Sequence, residues 1–279
     1  MPPLVRMIAF MALLMLTCIA CNSKRGKSFV PTINGYSDKD QQVFVLSEDL
    51  LEISGIAYTG NDELAAINDE RGILFKLNLK TDSIESFKFE GKGDYEEVVK
   101  TDSGFYVLES NGDIIELKPP YTEPETYKFS IKGKVEFESM VWYKEVNKLV
   151  IIVKEQRKNK QGINAYSFDL NRKQFDPEPF FSITFKEIFI KLENYNAECK
   201  PSGAAINPIN KKLYIIASIG KLMMECTAEG KLIKIYKLNP THFPQPEGIT
   251  FADNGDMYIS NEGLEGKGTI LKYPYVAQK

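Results

Sequence analysis

Short apolar runs separated by polar turns follow one another from about residue 40 onward, and one phrase recurs among them. The phrase is an acidic or hydroxyl residue, then a small or acidic residue, then a short apolar run. Its five copies are centred on Ser54, Glu96, Glu138, Ser202 and Glu247, at steps of 42, 42, 64 and 45 residues. Because five in-phase copies are hard to produce by chance, this pattern favours a repeat architecture over a β-sandwich.

Each copy is followed by a turn segment and two further apolar runs of strand length. The second runs are Leu64–Ile67, Phe105–Leu108, Leu149–Val153, Leu213–Ala217 and Met257–Ser260. A period near 42 residues with three or four short strands per unit is typical of a β-propeller. The sequence therefore predicts an all-β, five-bladed β-propeller, with blades of three to four antiparallel strands around a central channel.

The long third step leaves the number of blades open. A sixth, degenerate blade in this step would give a six-bladed propeller. Phe185 to Tyr195, inside the same step, has helical periodicity and fits an inserted loop or one short helix instead. The last copy lacks a fourth strand, and we expect Val43–Leu46, ahead of the first copy, to supply it and cover a sheet edge.

The first residues have the pattern of a secretory signal. Arg6 is followed by an apolar run, Met7 to Leu16, that is shorter than the roughly 20 residues of a membrane-spanning helix. Cys18-Ile19-Ala20-Cys21 then resembles a lipobox, except that Cys18 stands where leucine is usual. We expect a signal peptide at 1–20, lipidation of Cys21, a flexible tether at 21–40 and the propeller at 41–279. Lipidation at Cys18, a plain signal peptide and an N-terminal anchor helix are the alternatives.

Charge and cysteine content narrow the functional classes. The formal net charge is −3, and it becomes −4 when Arg6 is lost with the signal segment. A mildly acidic domain has no electrostatic attraction to nucleic acid, which we exclude as a partner. After Cys21 only Cys199 and Cys226 remain. They either form a disulfide or lie buried as thiols, because spacing alone does not place two Cα atoms within the ~7 Å needed.

Equivalent positions of successive blades form a ring around the channel of a propeller. The recurring phrase thus places three glutamates on one ring, namely Glu96, Glu138 and Glu247, together with Ser54 and Ser202. Three carboxylates in a narrow channel repel one another unless a cation lies between them. Oxygen ligands favour Ca²⁺, so the three glutamates are its predicted ligands. Second-strand ends add further channel-lining candidates, which are Asn68, Asp69, Glu109, Lys154, Ser218, Asn261 and Glu262. Alternatively, the acids pair with Lys154 and Arg71.

Recognised catalytic motifs are scarce in this sequence. A Ser–His–Asp triad would have to use His242, which is the single histidine of the chain. Zinc would need His242, Cys199 and Cys226 as its nitrogen and sulfur ligands, and we do not expect it. Hydrolysis by carboxylates alone stays open, since paired acids are present.

These segments resemble the SdiA-regulated family of bacterial β-propellers. The resemblance covers residues 43–275 and is carried by Glu52–Tyr58, Gly93–Glu96, Phe105–Glu109, Phe137–Met140, Pro201–Gly203, Pro246–Ile249 and Met257–Glu262. It implies a five-bladed propeller with a calcium site, a distant relationship to NHL-repeat propellers and no assigned activity. Where the family often has Glu-Gly, this chain has Glu96-Glu97 and Glu138-Ser139.

Three functional hypotheses follow for a lipid-anchored protein of the cell envelope, on the outer membrane or a periplasm-facing membrane. The first, which we favour, is a calcium-containing binding module without catalytic residues, whose ligand is a small molecule, a glycan or a protein. The second is a calcium-dependent hydrolase of phosphoesters, lactones or glycans. The third is a scaffold for another envelope protein.

Overall fold

Five four-stranded antiparallel sheets, arranged as blades around an axis, make up the protein. The computed structural model describes residues 33–130, 134–156, 161–194, 196–263 and 266–277. The inner strand of each blade contacts the inner strands of both neighbouring blades, so the five sheets form a closed ring. The predicted five-bladed β-propeller is confirmed, with four strands in every blade.

Strands within a blade follow the chain from the channel outward and are joined by hairpins. Blade 1 comprises β2 (Ile53–Gly60), β3 (Glu63–Asn68), β4 (Arg71–Asn78) and β5 (Ser83–Lys92). Blade 2 comprises β6 (Tyr95–Lys100), β7 (Phe105–Glu109), β8 (Ile114–Leu117) and β9 (Glu125–Tyr127). Blade 3 comprises β10 (Val135–Tyr143), β11 (Lys148–Gln156), β12 (Gly162–Asp169) and β13 (Gln174–Thr184). Blade 4 comprises β14 (Lys200–Ile206), β15 (Leu213–Ile219), β16 (Leu222–Cys226) and β17 (Leu232–Lys237).

Blade 5 is built from both ends of the propeller. Its inner three strands are β18 (Pro246–Phe251), β19 (Met257–Asn261) and β20 (Thr269–Tyr273), and β1 (Gln42–Val45) is its outer strand. Phe44 pairs with Ile270 in the antiparallel register. The predicted closure is confirmed, with the strand starting one residue earlier than expected. A strand from the beginning of the chain thereby holds the last blade in place.

The described part of the long third step contains an α-helix and no sixth blade. Helix α1 (Phe185–Leu192) follows β13 directly, and Thr184 caps it by accepting a hydrogen bond from the backbone N–H of Glu187. The Glu187 carboxylate accepts the Thr184 N–H in return, which completes a capping box. The helix ends where Glu193 takes the left-handed conformation.

Apolar side chains fill the spaces between neighbouring blades. The space between blades 3 and 4, for example, buries Ile152, Ile215 and Ala217 in one cluster, and Ile188 of α1 packs there too. Cys199 and Cys226 lie in the same cluster as free, buried thiols. The two cysteines therefore do not form the disulfide that was one of the two alternatives.

Residues ahead of the expected boundary at residue 41 also pack on the propeller. Ile33 and Tyr36 are buried, and the Tyr36 hydroxyl donates to the carbonyl oxygen of Gly255 at 2.6 Å. The predicted signal peptide, Cys21 and most of the predicted tether lie outside the described residues. Among the residues that are described, no helix is long and apolar enough to cross a membrane.

Candidate functional site

The recurring phrase of the sequence is a β-bulge in the inner strand of each blade. In blade 2, Tyr95 pairs with Glu109 and Glu97 pairs with Leu108, which leaves Glu96 as the extra residue of β6. The same irregularity leaves an extra residue in the other blades, and the bulge residues there are Ser54, Glu138, Ser202 and Glu247. A bulge turns one side chain out of the regular alternation. Five bulges at one level therefore give the ring of side chains that the repeat predicts.

One mouth of the channel is a polar cavity of about 450 Å³. All three predicted ligands, Glu96, Glu138 and Glu247, lie in its wall. Of the other predicted channel residues, the wall contains Ser54, Asp69, Lys154, Ser218 and Glu262. The propeller thus brings together eight of the residues that the sequence placed near the axis.

Four predicted channel residues, Asn68, Glu109, Ser202 and Asn261, do not line this cavity. The Asn68 side chain accepts the backbone N–H groups of Glu70 and Arg71 and so closes the β3–β4 turn. Glu109 and Asn261 each pair with an inner-strand residue, and Ser110 and Glu262 are the residues that follow them in the chain. Successive side chains of a strand point to opposite sides, so Glu109 and Asn261 face away from the side on which Ser110 and Glu262 lie.

Ser202 instead links two blades. Its hydroxyl donates to the carbonyl oxygen of Pro246 at 2.7 Å and accepts the backbone N–H of Ser218 at 3.1 Å. Ser54 makes the corresponding bond to the carbonyl oxygen of Glu96 at 2.6 Å. The two serines of the ring therefore join inner strands, whereas the glutamates point a charged group into the cavity.

Sequence reasoning missed four polar residues of the wall, which are Glu52, Asp94, Lys221 and Gln245. Glu52, Asp94 and Gln245 each come two residues before a bulge residue. The repeat could have predicted that these three residues line the cavity, because they occupy the same position relative to the bulge residue. Lys221 follows the end of β15 in a turn, and the repeat did not mark it.

Crowding raises the pKa of several carboxyls in the cavity. Burial, with the charge of Asp94 as a second cause, raises the pKa of Glu96 to about 8. Burial and the charge of Glu262 raise the pKa of Glu247 to about 7. Burial, assisted by Glu52, raises the pKa of Asp69 to about 6. Near neutral pH the mouth therefore holds carboxyls that exchange protons readily.

Lys154 offsets part of this negative charge. Its ammonium forms an ion pair with Oε1 of Glu138, while the other oxygen of Glu138, Oε2, is buried without a hydrogen-bond partner. Oδ1 of Asp69 is also buried and without a partner. Arg71 pairs with Asp49 instead, so the alternative pairing of the acids is correct for Lys154 and wrong for Arg71.

The donor chemistry of the mouth fits Ca²⁺, because every candidate ligand atom is an oxygen and one glutamate oxygen lacks a partner. As they are placed, no three Asp, Glu, His or Cys side chains among the described residues are grouped closely enough to hold a metal ion. Calcium binding would require side chains of the mouth to move closer together. The predicted calcium site stays a prediction.

Below the bulge ring the channel is closed by Glu97. The equivalent positions in three other blades are Gly55, Gly203 and Gly248. A Cβ atom on Gly55 would stand 2.1 Å from Oε1 of Glu97, so that glycine makes room for the carboxyl. The backbone N–H of Val98 donates to this oxygen at 3.1 Å. Backbone N–H groups of Ile56 in blade 1 and Ala204 in blade 4 also donate to Glu97, which is 1% exposed, so its carboxyl spans the channel beneath the mouth.

A family comparison agrees with the repeat. The SdiA-regulated family model matches residues 40–263. The chain belongs to the SdiA-regulated family. No curated protein matches this member of the family.

Solved structures similar to this SdiA-regulated protein share its fold at low identity. A luciferin-regenerating enzyme is 13% identical, with a TM-score of 0.53 over 85% of this chain and 96% of that one. Regucalcin from Agrobacterium tumefaciens, described as a calcium-binding protein, is 10% identical, with a TM-score of 0.53 over 84% and 95%. A putative gluconolactonase is 10% identical, with a TM-score of 0.52 over 84% and 78%. At these identities the likeness shows the propeller fold alone.

Proposed function

We propose that this protein is a lipid-anchored binding propeller of the cell envelope, whose channel mouth holds a calcium ion used to capture a ligand. The observation that carries this proposal is the convergence of Glu96, Glu138 and Glu247, bulge residues of three blades, on one cavity. Bound Ca²⁺ would supply charge neutralisation and open coordination positions for oxygen atoms of a ligand. The ligand class, a small molecule, a glycan or a protein, and the position at the envelope are parts of the proposal.

The residues of the mouth have separate tasks in this proposal. Glu96, Glu138 and Glu247 would hold the ion. Asp69 and Glu262, in the same wall, raise the negative potential that draws a cation into the cavity. Glu97 closes the channel beneath the site, so a ligand can approach from one side.

Thermal unfolding with and without calcium tests this proposal. An ion that binds only the folded protein raises the free energy of unfolding by about 2.7 kcal/mol at a hundredfold excess over Kd. We expect chelator to lower the melting temperature and calcium to restore it. Glu138→Gln should shrink that response, and Glu109→Gln, which alters a carboxyl outside the cavity wall, should leave it unchanged. A wild-type melt that ignores chelator and calcium, with no calcium binding by calorimetry, would overturn the proposal.

The raised pKa of Asp69 favours a second candidate, a calcium-dependent hydrolase. Asp69 lines the mouth without being one of the three proposed calcium ligands, and a carboxyl with a pKa of about 6 is suited to proton transfer near neutral pH. Turnover of a lactone, phosphoester or glycan should then require calcium and be lost in Asp69→Asn. The absence of turnover over a panel of these substrates would leave the binding module.

A further inference from the structure

The ends of the second strands form another ring, and four of its five residues line the channel mouth. In each blade, one residue of the second strand pairs with the inner-strand residue just before the bulge. The next residue along the chain therefore occupies an equivalent position in all five blades. These residues are Asp69, Ser110, Lys154, Ser218 and Glu262. Four of the five positions bear an oxygen-containing side chain and one bears an amine. Lys154 thus places a positive charge where the other blades offer oxygen ligands.

The ammonium of Lys154 is bound to Glu138, one of the three bulge glutamates. The ion pair uses only Oε1 of Glu138, and the buried Oε2 has no hydrogen-bond partner. The Glu138 side chain is 8% exposed and that of Lys154 is 27% exposed. The carboxylate is therefore buried in the wall, while the lysine side chain is partly exposed.

Lys154 also has room to leave this position. It lies in the wall of three cavities, which are the channel mouth, a cleft of about 630 Å³ that Glu96 and Glu138 also line, and a groove of about 400 Å³ beside Phe185. A lysine side chain has a flexible stem of four carbons. Glu138 does not line the groove, so a swing of the stem toward it would take the ammonium away from the carboxylate.

We infer that Lys154 is a tethered counter-ion of Glu138, which a divalent cation displaces when it binds, so that Lys154 sets the cation affinity of the mouth. This inference rests on the proposed calcium site and concerns how that site is regulated. The tethered ammonium competes at a high effective concentration, because it is attached beside the carboxylate. It raises the apparent Kd for calcium by the reciprocal of the fraction of molecules in which it leaves Glu138 free. It also offsets part of the repulsion among the carboxyls of the mouth when calcium is scarce.

Calorimetric titration of calcium into the chelator-treated, full-length protein tests the inference. Lys154→Met removes the charge with little change of volume, and Lys154→Ser installs the residue that blades 2 and 4 carry at this position. We expect both variants to bind Ca²⁺ about tenfold or more tightly than wild type does. Lys148→Met is the matched control. Lys148 lies on the same strand, pairs with Asp176 at 2.7 Å and is 23% exposed, so it loses the same charge and a similar ion pair.

A second readout follows the lysine itself. The NMR signal of the Lys154 side-chain ε-methylene, assigned by its loss in Lys154→Met, should shift on addition of calcium to wild type, and the Lys148 signal should not. Equal Kd values for wild type and Lys154→Met, or weaker binding by that variant, would overturn the inference and leave the calcium site standing. Absence of calcium binding in wild type and in both Lys154 variants would overturn the site and the inference together.

Discussion

Two buried glutamates of blade 2 show how their surroundings, and not burial alone, decide the charge of a residue. Burial raises the pKa of Glu97 well above its usual range, although backbone hydrogen bonds from Val98, Ala204 and Ile56 oppose this. Burial also acts on Glu116, but hydrogen bonds from Lys173, Tyr106 and Tyr127 outweigh it and lower the pKa to about 2. Glu97 therefore resists ionisation in the folded protein, whereas Glu116 favours it.

The two residues should affect stability with opposite dependence on pH. The neutral form of Glu97 stabilises the fold at low pH, and this contribution is lost as pH rises above the glutamate pKa of the unfolded chain. Glu97→Gln, which cannot ionise, should raise the melting temperature at pH 8 and change it little at pH 4. Thermal unfolding over a pH series measures this difference. A difference that is as large at pH 4 as at pH 8 would contradict it.

Glu116→Gln is the control of opposite sign. Its lowered pKa contributes stability above the unfolded pKa, and that contribution is lost as pH falls toward 2. The substitution should cost about 2 kcal/mol at pH 7, because charge-assisted hydrogen bonds are lost, and progressively less in acid.

At the scale of elements, β1 contributes more to the closure of the propeller than its length of four residues suggests. It covers the outer edge of β20 and joins the beginning of the described chain to its last blade. Val43 and Val45 are 57% and 61% exposed, so the apolar contribution of β1 comes from Phe44, which packs on the cluster between blades 5 and 1.

Deleting residues 41–47 should destabilise the whole propeller, because it exposes the β20 edge and removes Phe44 and Leu46 from the core. Phe44→Ala should cost about 2 kcal/mol, less than for a fully buried phenylalanine, and Val43→Ala should cost under about 0.5 kcal/mol. Chemical denaturation measures all three. An unchanged unfolding midpoint of the deletion variant would show that β1 does not close the ring.

At the scale of the whole molecule, the predicted lipid on Cys21 would attach the propeller to a membrane. Cys21→Ser should abolish lipid labelling and leave an uncleaved precursor, because the thiol is the acceptor of the lipid. Metabolic labelling with a fatty acid, followed by mass measurement of the product, checks both results. Labelling that survives in Cys21→Ser and disappears in Cys18→Ser would move the start of the mature protein to Cys18.

Sequence alone favoured five blades over six, and it predicted the closing strand and the shared repeat position of the three glutamates. These features depend on periodicity, since a repeated phrase returns to the same level of the channel in every blade. The short helix in the long step could also be predicted, because the helical pattern of Phe185 to Tyr195 is local.

Only the tertiary structure decided which side chains face the mouth. Asn68 and Asp69 are neighbours in sequence, yet Asn68 closes a turn while Asp69 lines the cavity. Alternation sets this choice, because successive side chains along an extended chain point to opposite sides. The pairing of Lys154 with Glu138 and the closure of the channel by Glu97 likewise depend on contacts between strands and blades. Such contacts leave no periodic trace in the sequence, because they join residues that the fold alone brings together.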